Sequence, residues 1–140
     1  MKVSHHPDYF LPLPDGHPFP MVKYTLVYDR LRAAGLLPAE CMMIPEEVAR
    51  ADLERVHTKA YLDRLFGPGL SAAEVRALGV PWSPRLLRRS RLATQGTLLA
   101  ARAALEEGRG GNLAGGTHHA FADHGEGFCV LNDVAVAIRA

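Results

Sequence analysis

The spacing of apolar and polar positions divides the chain into short apolar runs separated by longer amphipathic segments. Short apolar runs predict strands, and apolar residues that recur every three or four positions predict helices. The sequence predicts three strands, near residues 2–4, 41–44 and 111–114. Because helical segments separate these strands, we expect parallel pairing in a partial open α/β sheet flanked by helices.

Capping residues set the helix boundaries. Pro20 and Gly35 bracket a helix over Met21–Ala34. The other predicted helices are one that begins at Pro45-Glu46-Glu47 and carries Val48, Leu53 and Val56, one from Thr58 to Phe66, one from a capping box at Ser71–Glu74 to Gly79, one from Ser83-Pro84 to Glu107, and one from Asn132-Asp133 through Ile138. The longest of them carries residues small enough for close backbone approach, namely Ala93, Gly96, Ala100, Ala103 and Ala104.

Length and composition indicate one globular domain with ordinary chemistry. The chain has 140 residues, of which 48% are hydrophobic and 22% charged, and its formal net charge is +1. This balance predicts neither nucleic-acid nor membrane binding, and the basic run at 86–91 is expected to be a solvated helix face. Cys41 and Cys129 are too few for a disulfide framework, and no signal or membrane segment is evident, so we expect a cytoplasmic protein with reduced thiols.

The candidate chemistry lies between residues 113 and 138, in the stretch LAGGTHHAFADHGEGFCVLNDVAVAI. Gly115-Gly116 permits a sharp turn that delivers His118 and His119 to the exit of the third strand, where α/β sheets place their ligands. Paired imidazoles suit proton transfer near neutral pH. The residue types leave two other interpretations open. One is a purely structural turn, and the other is a metal site with His124, although close Cys or carboxylate ligands are lacking.

The motif GGTHHA at 115–120, followed by GFCVLNDVAVAI at 127–138, resembles the active-site signature of the histone deacetylase family. That family comprises zinc-dependent amidohydrolases and includes acetylpolyamine and acetoin-utilisation relatives. Three other stretches resemble its bacterial members, which are HPFPM from His17 with Lys23-Tyr24, RVHT from Arg55 with Tyr61-Leu62, and Gly79 to Pro84. At Lys23 many relatives carry Arg. The resemblance implies an arginase/deacetylase-like fold, of which these residues would form the N-terminal part.

The resemblance also implies roles for individual residues. In the family a zinc ion polarises the acetyl carbonyl and activates a water, while two adjacent histidines transfer protons. His118 and His119 match those histidines, and Gly127 and Phe128 would border the channel for the acyl-lysine side chain. The family's zinc ligands, an Asp-x-His pair and a later Asp, and its tyrosine have no match in this sequence. Asp133 is interpreted as a helix-start residue, and no metal ligand is assigned.

We therefore expect residues 1–140 to be one truncated deacetylase-like domain whose parent hydrolyses an acetylated amine or acetyl-lysine. The parent family uses zinc, whereas this chain is expected to bind none at a catalytic site and to be inactive alone. A non-catalytic binding or assembly module that retains the histidine loop is the alternative. By resemblance Tyr9 and Phe10 are candidates for the channel rim, with packing in a surface loop as the other interpretation.

We also expect the chain to form a homo-oligomer. The outer edge of the strand at 111–114 should be unpaired, and an uncovered strand edge is a template for another chain. The same reasoning expects exposed apolar faces at Val134, Val136 and Ile138 and along the small-residue side of the Ser83–Glu107 helix. A symmetric dimer is the expected closed form.

Overall fold

Three parallel strands form an open sheet, as the sequence predicts. In the computed structural model, which describes residues 1–140, the strands are β1 (Lys2–Ser4), β2 (Met42–Met43) and β3 (Gly110–Asn112). Their order in the sheet is β2-β1-β3. Val3 of β1 lies opposite Met42 on one side and Gly111 on the other. The central strand is thus the first in sequence, and β3 has one unpaired edge.

Six α-helices accompany this sheet, and the α/β class is confirmed. They are α1 (Lys23–Ala33), α2 (Arg50–Leu53), α3 (Lys59–Phe66), α4 (Ala72–Leu78), α5 (Pro84–Glu107) and α6 (Asp133–Arg139), with short 3-10 helices at Pro7–Tyr9 and Ala39–Cys41. The predicted caps are present, since the side chains of Thr58, Ser71, Ser83 and Asn132 each accept a backbone hydrogen bond at a helix start. The capping box at Ser71 and Glu74 is complete.

Two elements differ from their predicted bounds for reasons that specific contacts explain. The helix expected from Pro45 starts only at Arg50, because the preceding segment is held extended against α5. There the backbone N–H of Val48 donates to the Arg91 carbonyl at 3.4 Å, and the Arg91 guanidinium donates to the Val48 carbonyl at 2.9 and 3.1 Å. Strand β3 also ends earlier than expected, since the Asn112 side chain accepts from the Ala114 N–H at 3.2 Å and turns the chain.

The long helix α5 packs on the sheet through its small residues. A Cβ on Gly96 would lie 2.7 Å from Ser4 Oγ and 2.8 Å from Asn112 Nδ2, and a Cβ on Gly110 would overlap the Ala100 carbonyl oxygen. Close packing thus explains why this helix tolerates a glycine. The expectation that this side of α5 is exposed was wrong, because Ala93, Gly96, Ala100 and Ala103 are buried within the chain.

The basic run at 86–91 also differs from its prediction as a solvated face. Arg88 is exposed, but Arg89 is buried with 4% of its surface accessible and donates from Nε to the Tyr9 carbonyl at 3.0 Å. One cluster of 19 buried apolar residues forms the core beneath these helices. None of the helices is both long enough and apolar enough to cross a membrane.

Candidate functional site

A buried carboxylate holds the turn that precedes the two histidines. Asp133, the first residue of α6, has none of its surface exposed. Its oxygens accept hydrogen bonds from the backbone N–H groups of Gly116 at 2.8 Å and Thr117 at 2.7 Å, and from the hydroxyl of Thr97 at 2.5 Å. The Thr117 hydroxyl shares its one proton between Asp133 at 2.8 Å and the Leu131 carbonyl at 2.7 Å. Asp133 is a helix-start residue, as predicted, and Asn132 provides the cap. The sequence did not reveal that the Asp133 carboxylate fixes the turn.

A second buried residue fixes the loop from the side of α3. The ring Nε2 of His57 lies 3.1 Å from the backbone N–H of Asn132 and accepts its hydrogen bond. The Asn132 side chain then donates to the carbonyls of Ala120 at 2.9 Å and His118 at 3.3 Å. Burial lowers the pKa of His57, which favours the neutral ring that can accept. Sequence reasoning assigned no role to His57, although it lies in the RVHT motif.

The two adjacent histidines lie side by side on the surface. Their ring centroids are 4.3 Å apart, with 35° between the ring planes. The Nδ1 atom of His118 lies 2.9 Å from the Gly116 carbonyl. Because a carbonyl can only accept, this nitrogen carries the proton, and the Nε2 of a neutral His118 has a free lone pair. His118 is thus arranged to accept a proton from a molecule in front of it.

All four site residues chosen from the sequence line one pocket. His118, His119, Gly127 and Phe128 share a cavity of about 250 Å³. Its other lining residues include the Gly115–Thr117 turn and Cys129, and across the cavity Phe19, Lys23, Tyr24 and Arg89. Gly127 lies close to the two histidines, since a Cβ on Gly127 would lie 3.0 Å from Cγ of His119. Two stretches of the loop therefore meet at the place where the histidines are exposed.

Phe128 forms an apolar wall of this pocket in a strained backbone conformation. It is the only non-glycine residue with positive φ, at 67°, and such strain costs on the order of 1–3 kcal/mol. Its N–H donates to the Leu78 carbonyl at 2.8 Å, and its ring packs 5.2 Å from Phe19 and 5.9 Å from His17, centroid to centroid. These contacts hold the aromatic ring against the cavity.

The N-terminal arm contributes less to the pocket than the resemblance implied. His17 accepts from the Phe19 N–H at 3.1 Å and so donates from Nε2 to the Gly79 carbonyl at 2.9 Å, which places Phe19 at the cavity. Tyr9 and Phe10 do not line this cavity. Tyr9 is a core residue whose hydroxyl lies 3.0 Å from Ser4 Oγ, and burial raises its pKa to about 12. Tyr9 therefore packs in the core and does not form part of the channel rim.

The metal interpretation with His124 finds no support in the geometry. His124 does not line the pocket, and its ring pairs with Asp123 at 2.7 Å and stacks on Phe121. No three His, Cys, Asp or Glu side chains lie together in a group that could hold a metal ion. These residues therefore do not form the zinc centre of the family that the chain resembles. Cys129, which lines the pocket, is a buried free thiol, and burial raises its pKa.

Comparison with known sequences identifies the family. A sequence model of the histone deacetylase domain matches residues 17–140. An uncharacterized protein of Picosynechococcus sp. is 43% identical over 137 residues, and histone deacetylase 2 of Arabidopsis thaliana is 31% identical over 136 residues. The acetoin utilization protein AcuC of Bacillus subtilis is 32% identical over 133 residues. These matches cover 98%, 93% and 88% of this chain but only 46%, 35% and 34% of the relatives.

Comparison with solved structures identifies the same family. An HDAC homolog from Aquifex aeolicus and an HDAC homolog in complex with SAHA each superimpose with a TM-score of 0.81 at 25% identity. Both superpositions cover 99% of this chain and 40% of the other. The family model, the sequence relatives and the shared architecture all agree with the resemblance carried by the histidine loop. The chain belongs to the histone deacetylase family.

Proposed function

We propose that this chain supplies the proton-transfer pair and a channel wall for the hydrolysis of an acetylated amine or amide. The observation that carries the proposal is that His118, His119, Gly127 and Phe128 line one pocket although they come from two stretches of the loop. Membership of the histone deacetylase family supports it. So does the match to a homolog solved in complex with SAHA.

The histidine pair can move the protons that hydrolysis requires. As a water attacks the acyl carbon, Nε2 of His118 takes its proton, and the C–N bond breaks as the leaving nitrogen is protonated. The products are an amine and a carboxylate. His119, with its ring centroid 4.3 Å from that of His118, is the second group able to hold or donate a proton there. General acid–base groups of this kind contribute about 100- to 10,000-fold in rate.

Phe128 and Gly127 are proposed to guide the substrate. An acyl-lysine presents a chain of methylenes, and burial of apolar surface is worth about 25 cal/mol per Å². Phe128, packed 5.2 Å from Phe19, offers a rigid apolar surface for that chain. Gly127 allows the loop to lie close to His119, since a Cβ there would lie 3.0 Å from Cγ of that ring.

The family's bound zinc polarises the scissile carbonyl, and a catalytic zinc site commonly needs about three protein ligands. The residues described here provide no such group. We therefore propose that the 140 residues alone do not turn over substrate. Activity of the whole protein would need ligands from additional sequence.

A chimera tests the proposal directly. Residues 1–140 replace the matched part of the Picosynechococcus relative, which is 43% identical over 137 residues, with the unaltered relative assayed as the reference and AcuC as a second recipient. His118→Ala and His119→Ala should each slow hydrolysis of an acetyl-lysine peptide by about 100-fold or more without loss of zinc. The matched control is His124→Ala, which changes a histidine of the same loop outside the pocket.

Three outcomes are informative. Loss of rate in the two pocket variants but not in the control supports the proposal. Equal rates in all three variants refute it. A chimera that folds and binds zinc but never hydrolyses, next to active references, favours the alternative of a binding or assembly module that retains the loop.

Self-association of the 140-residue chain is a separate proposal. The outer edge of β3 is unpaired, and Val134 and Ile138 on α6 are 39% and 79% exposed. The expectation for Val136 was wrong, because it is fully buried in the core. The β3 edge and the two exposed residues leave a smaller surface than the sequence predicts, and a two-fold dimer through it is the expected form.

A further inference from the structure

A second cavity lies beside helix α1. Residues four apart share one side of a helix, so Tyr24 and Tyr28 form one row on α1, and Thr25 and Asp29 form the row next to it. Residues from the end of β1 and from the short helix Pro7–Tyr9 close the space, which measures about 250 Å³ and is lined by His5, Pro7, Phe10, Tyr24, Thr25, Tyr28 and Asp29. This α1 cavity shares only Tyr24 with the pocket of the two adjacent histidines.

His5 lines the α1 cavity without a polar partner for its ring. It is only 8% exposed, and its Nδ1 is buried without a hydrogen bond. The His5 backbone N–H donates to the Met43 carbonyl at 3.1 Å, and the ring stacks on Tyr28 with 3.8 Å between centroids. Burial and the neighbouring His6 lower the pKa of His5, against the opposing effect of Asp29, and this favours a neutral ring with one free lone pair. Because buried polar atoms are nearly always paired, this ring indicates a donor that the chain does not supply.

The other lining residues favour a positive charge in the α1 cavity. No Lys or Arg lines it, and the exposed carboxylate of Asp29 forms no ion pair within the chain. Three of the lining residues are aromatic, and the faces of aromatic rings attract cations. The Arg89 guanidinium already lies over the Tyr24 ring at 4.7 Å, so Phe10 and Tyr28 are the rings that remain for a ligand.

We propose that the α1 cavity binds a small primary alkylammonium ion. One N–H of the ammonium donates to the free nitrogen of His5, and its charge lies near the Asp29 carboxylate. Hydrogen bonds with an ionised donor are among the strong ones. The cavity is several times larger than the roughly 30 Å³ that one water occupies in the liquid, so a short alkyl chain fits beside Phe10. Such a ligand supplies both the donor that His5 lacks and the counter-charge that Asp29 lacks.

Two sources share this chemistry, a free alkylamine and the side chain of a lysine residue. Butylammonium has the four-carbon chain of lysine without the backbone, and Nα-acetyl-lysine methylamide carries the same chain on a peptide unit. Equal or tighter binding of the lysine derivative identifies a lysine side chain as the ligand, and weaker binding identifies a free amine. The cavity contains neither His118 nor His119, so this inference does not depend on the proposed function.

Calorimetric titration of the 140-residue chain tests the preference for charge. At constant ionic strength, butylammonium should show saturable binding. The neutral control is 1-butanol, which has the same alkyl chain and should bind about tenfold more weakly or less. The histidine-containing pocket is lined by Lys23 and Arg89, which repel a cation, so binding there would not give the same result.

Variants assign the site to His5 and Asp29. His5→Phe keeps a ring against Tyr28 but removes the acceptor, and it should weaken butylammonium binding about tenfold or more. Since an unpaired buried polar atom is removed, His5→Phe should resist urea at least as well as the original chain. Asp29→Asn should weaken binding about threefold or more. The matched control is Asp15→Asn, which removes an exposed carboxylate outside the cavity and should bind within about twofold of the original chain.

Nitrogen NMR of the original chain provides the test if His5→Phe does not fold, because butylammonium should shift the His5 ring resonances more than 1-butanol does. The inference is overturned if butylammonium does not saturate or if 1-butanol binds equally. It is also overturned if His5→Phe or Asp29→Asn binds as Asp15→Asn does, or if the His5 resonances do not respond. Any of these results would mean that the cavity holds water alone and that His5 is only a packing residue.

Discussion

The carboxylate of Asp133 should be the most sensitive polar group in the loop. One of its oxygens accepts from the Gly116 N–H and the Thr97 hydroxyl, and the other accepts from the Thr117 N–H and shares the Thr117 hydroxyl proton with the Leu131 carbonyl. Asp133→Asn keeps the shape but turns one oxygen into an NH₂ donor that faces two donors. The hydroxyl there, of Thr97 or Thr117, can rotate to accept, but the N–H of Gly116 or Thr117 cannot.

The expected loss of stability in Asp133→Asn follows from the hydrogen bonds that the new NH₂ group cannot accept. A hydrogen bond to a charged group contributes about 1.5–3 kcal/mol, and a buried donor left unpaired costs about 1–3 kcal/mol. One lost bond and one unpaired N–H, partly relieved by movement of the turn, give an expected loss of about 2–4 kcal/mol in the free energy of unfolding. Since small domains have about 5–15 kcal/mol in total, the variant should fold but be clearly weakened.

Urea unfolding followed by circular dichroism measures this loss. Asp123→Asn is the control, because that side chain is 71% exposed and exposed substitutions stay within about 0.5 kcal/mol. Hydrogen exchange should show faster exchange of the Gly116 and Thr117 amides in Asp133→Asn only. An Asp133→Asn chain as stable as the control, with unchanged exchange at both amides, would refute the assignment of Asp133 as the anchor of the turn.

Three further predictions concern packing, pH and association. Gly110→Ala should destabilise by about 1–3 kcal/mol, because its Cβ would overlap the Ala100 carbonyl oxygen, whereas Gly111→Ala, with 3.7 Å to the nearest atom, should be near neutral in the same urea assay. Burial lowers the pKa of His57 below 6.5, so the unfolded chain binds more protons and stability should fall as pH drops below 6.5. In His57→Gln thermal unfolding between pH 7 and 5 should depend less on pH, and an unchanged slope would contradict this. Sedimentation velocity at micromolar concentration should show a dimer that Ile138→Glu weakens, and a stable monomer would refute self-association.

The elements that the sequence predicted well depend on local interactions. Ser83 caps α5, and Gly108 beyond its end adopts φ 80°, so both ends are set by residues next to the helix. The elements predicted poorly depend on distant partners. The Arg91 side chain of α5 donates to the carbonyl of Val48, 43 positions earlier in the sequence. This contact keeps the segment before α2 extended, so the helix begins later than predicted. Arg89 shows the same limit, because an arginine in a basic run gives no sign of the side of the helix that the rest of the chain will cover.

The functional site shows the same division between features set by local sequence and features set by distant contacts. The residue types and the family resemblance singled out His118, His119, Gly127 and Phe128, and these residues line one pocket. The residues that hold them in place were not found, since Asp133 contacts the turn across 16 positions and His57 reaches Asn132 across 75. No periodicity or local motif encodes such pairings. The only signal for His57 was its place in a stretch that matched the family.

The contrast between this buried support and the exposed histidine rings supports a functional role over a structural turn. A structural histidine is expected to join distant parts of the chain through a ring hydrogen bond, as His57 does by accepting from the Asn132 N–H 75 positions away. His119 forms no ring hydrogen bond, and His118 uses one nitrogen on a carbonyl two residues away. Replacing either ring by Ala should therefore change the free energy of unfolding by no more than about 0.5 kcal/mol, as for exposed positions generally. In the chimera the same substitutions should abolish most of the hydrolytic rate. A large loss of stability in His118→Ala or His119→Ala would instead show that the rings hold the turn together, and the structural interpretation would then be preferred.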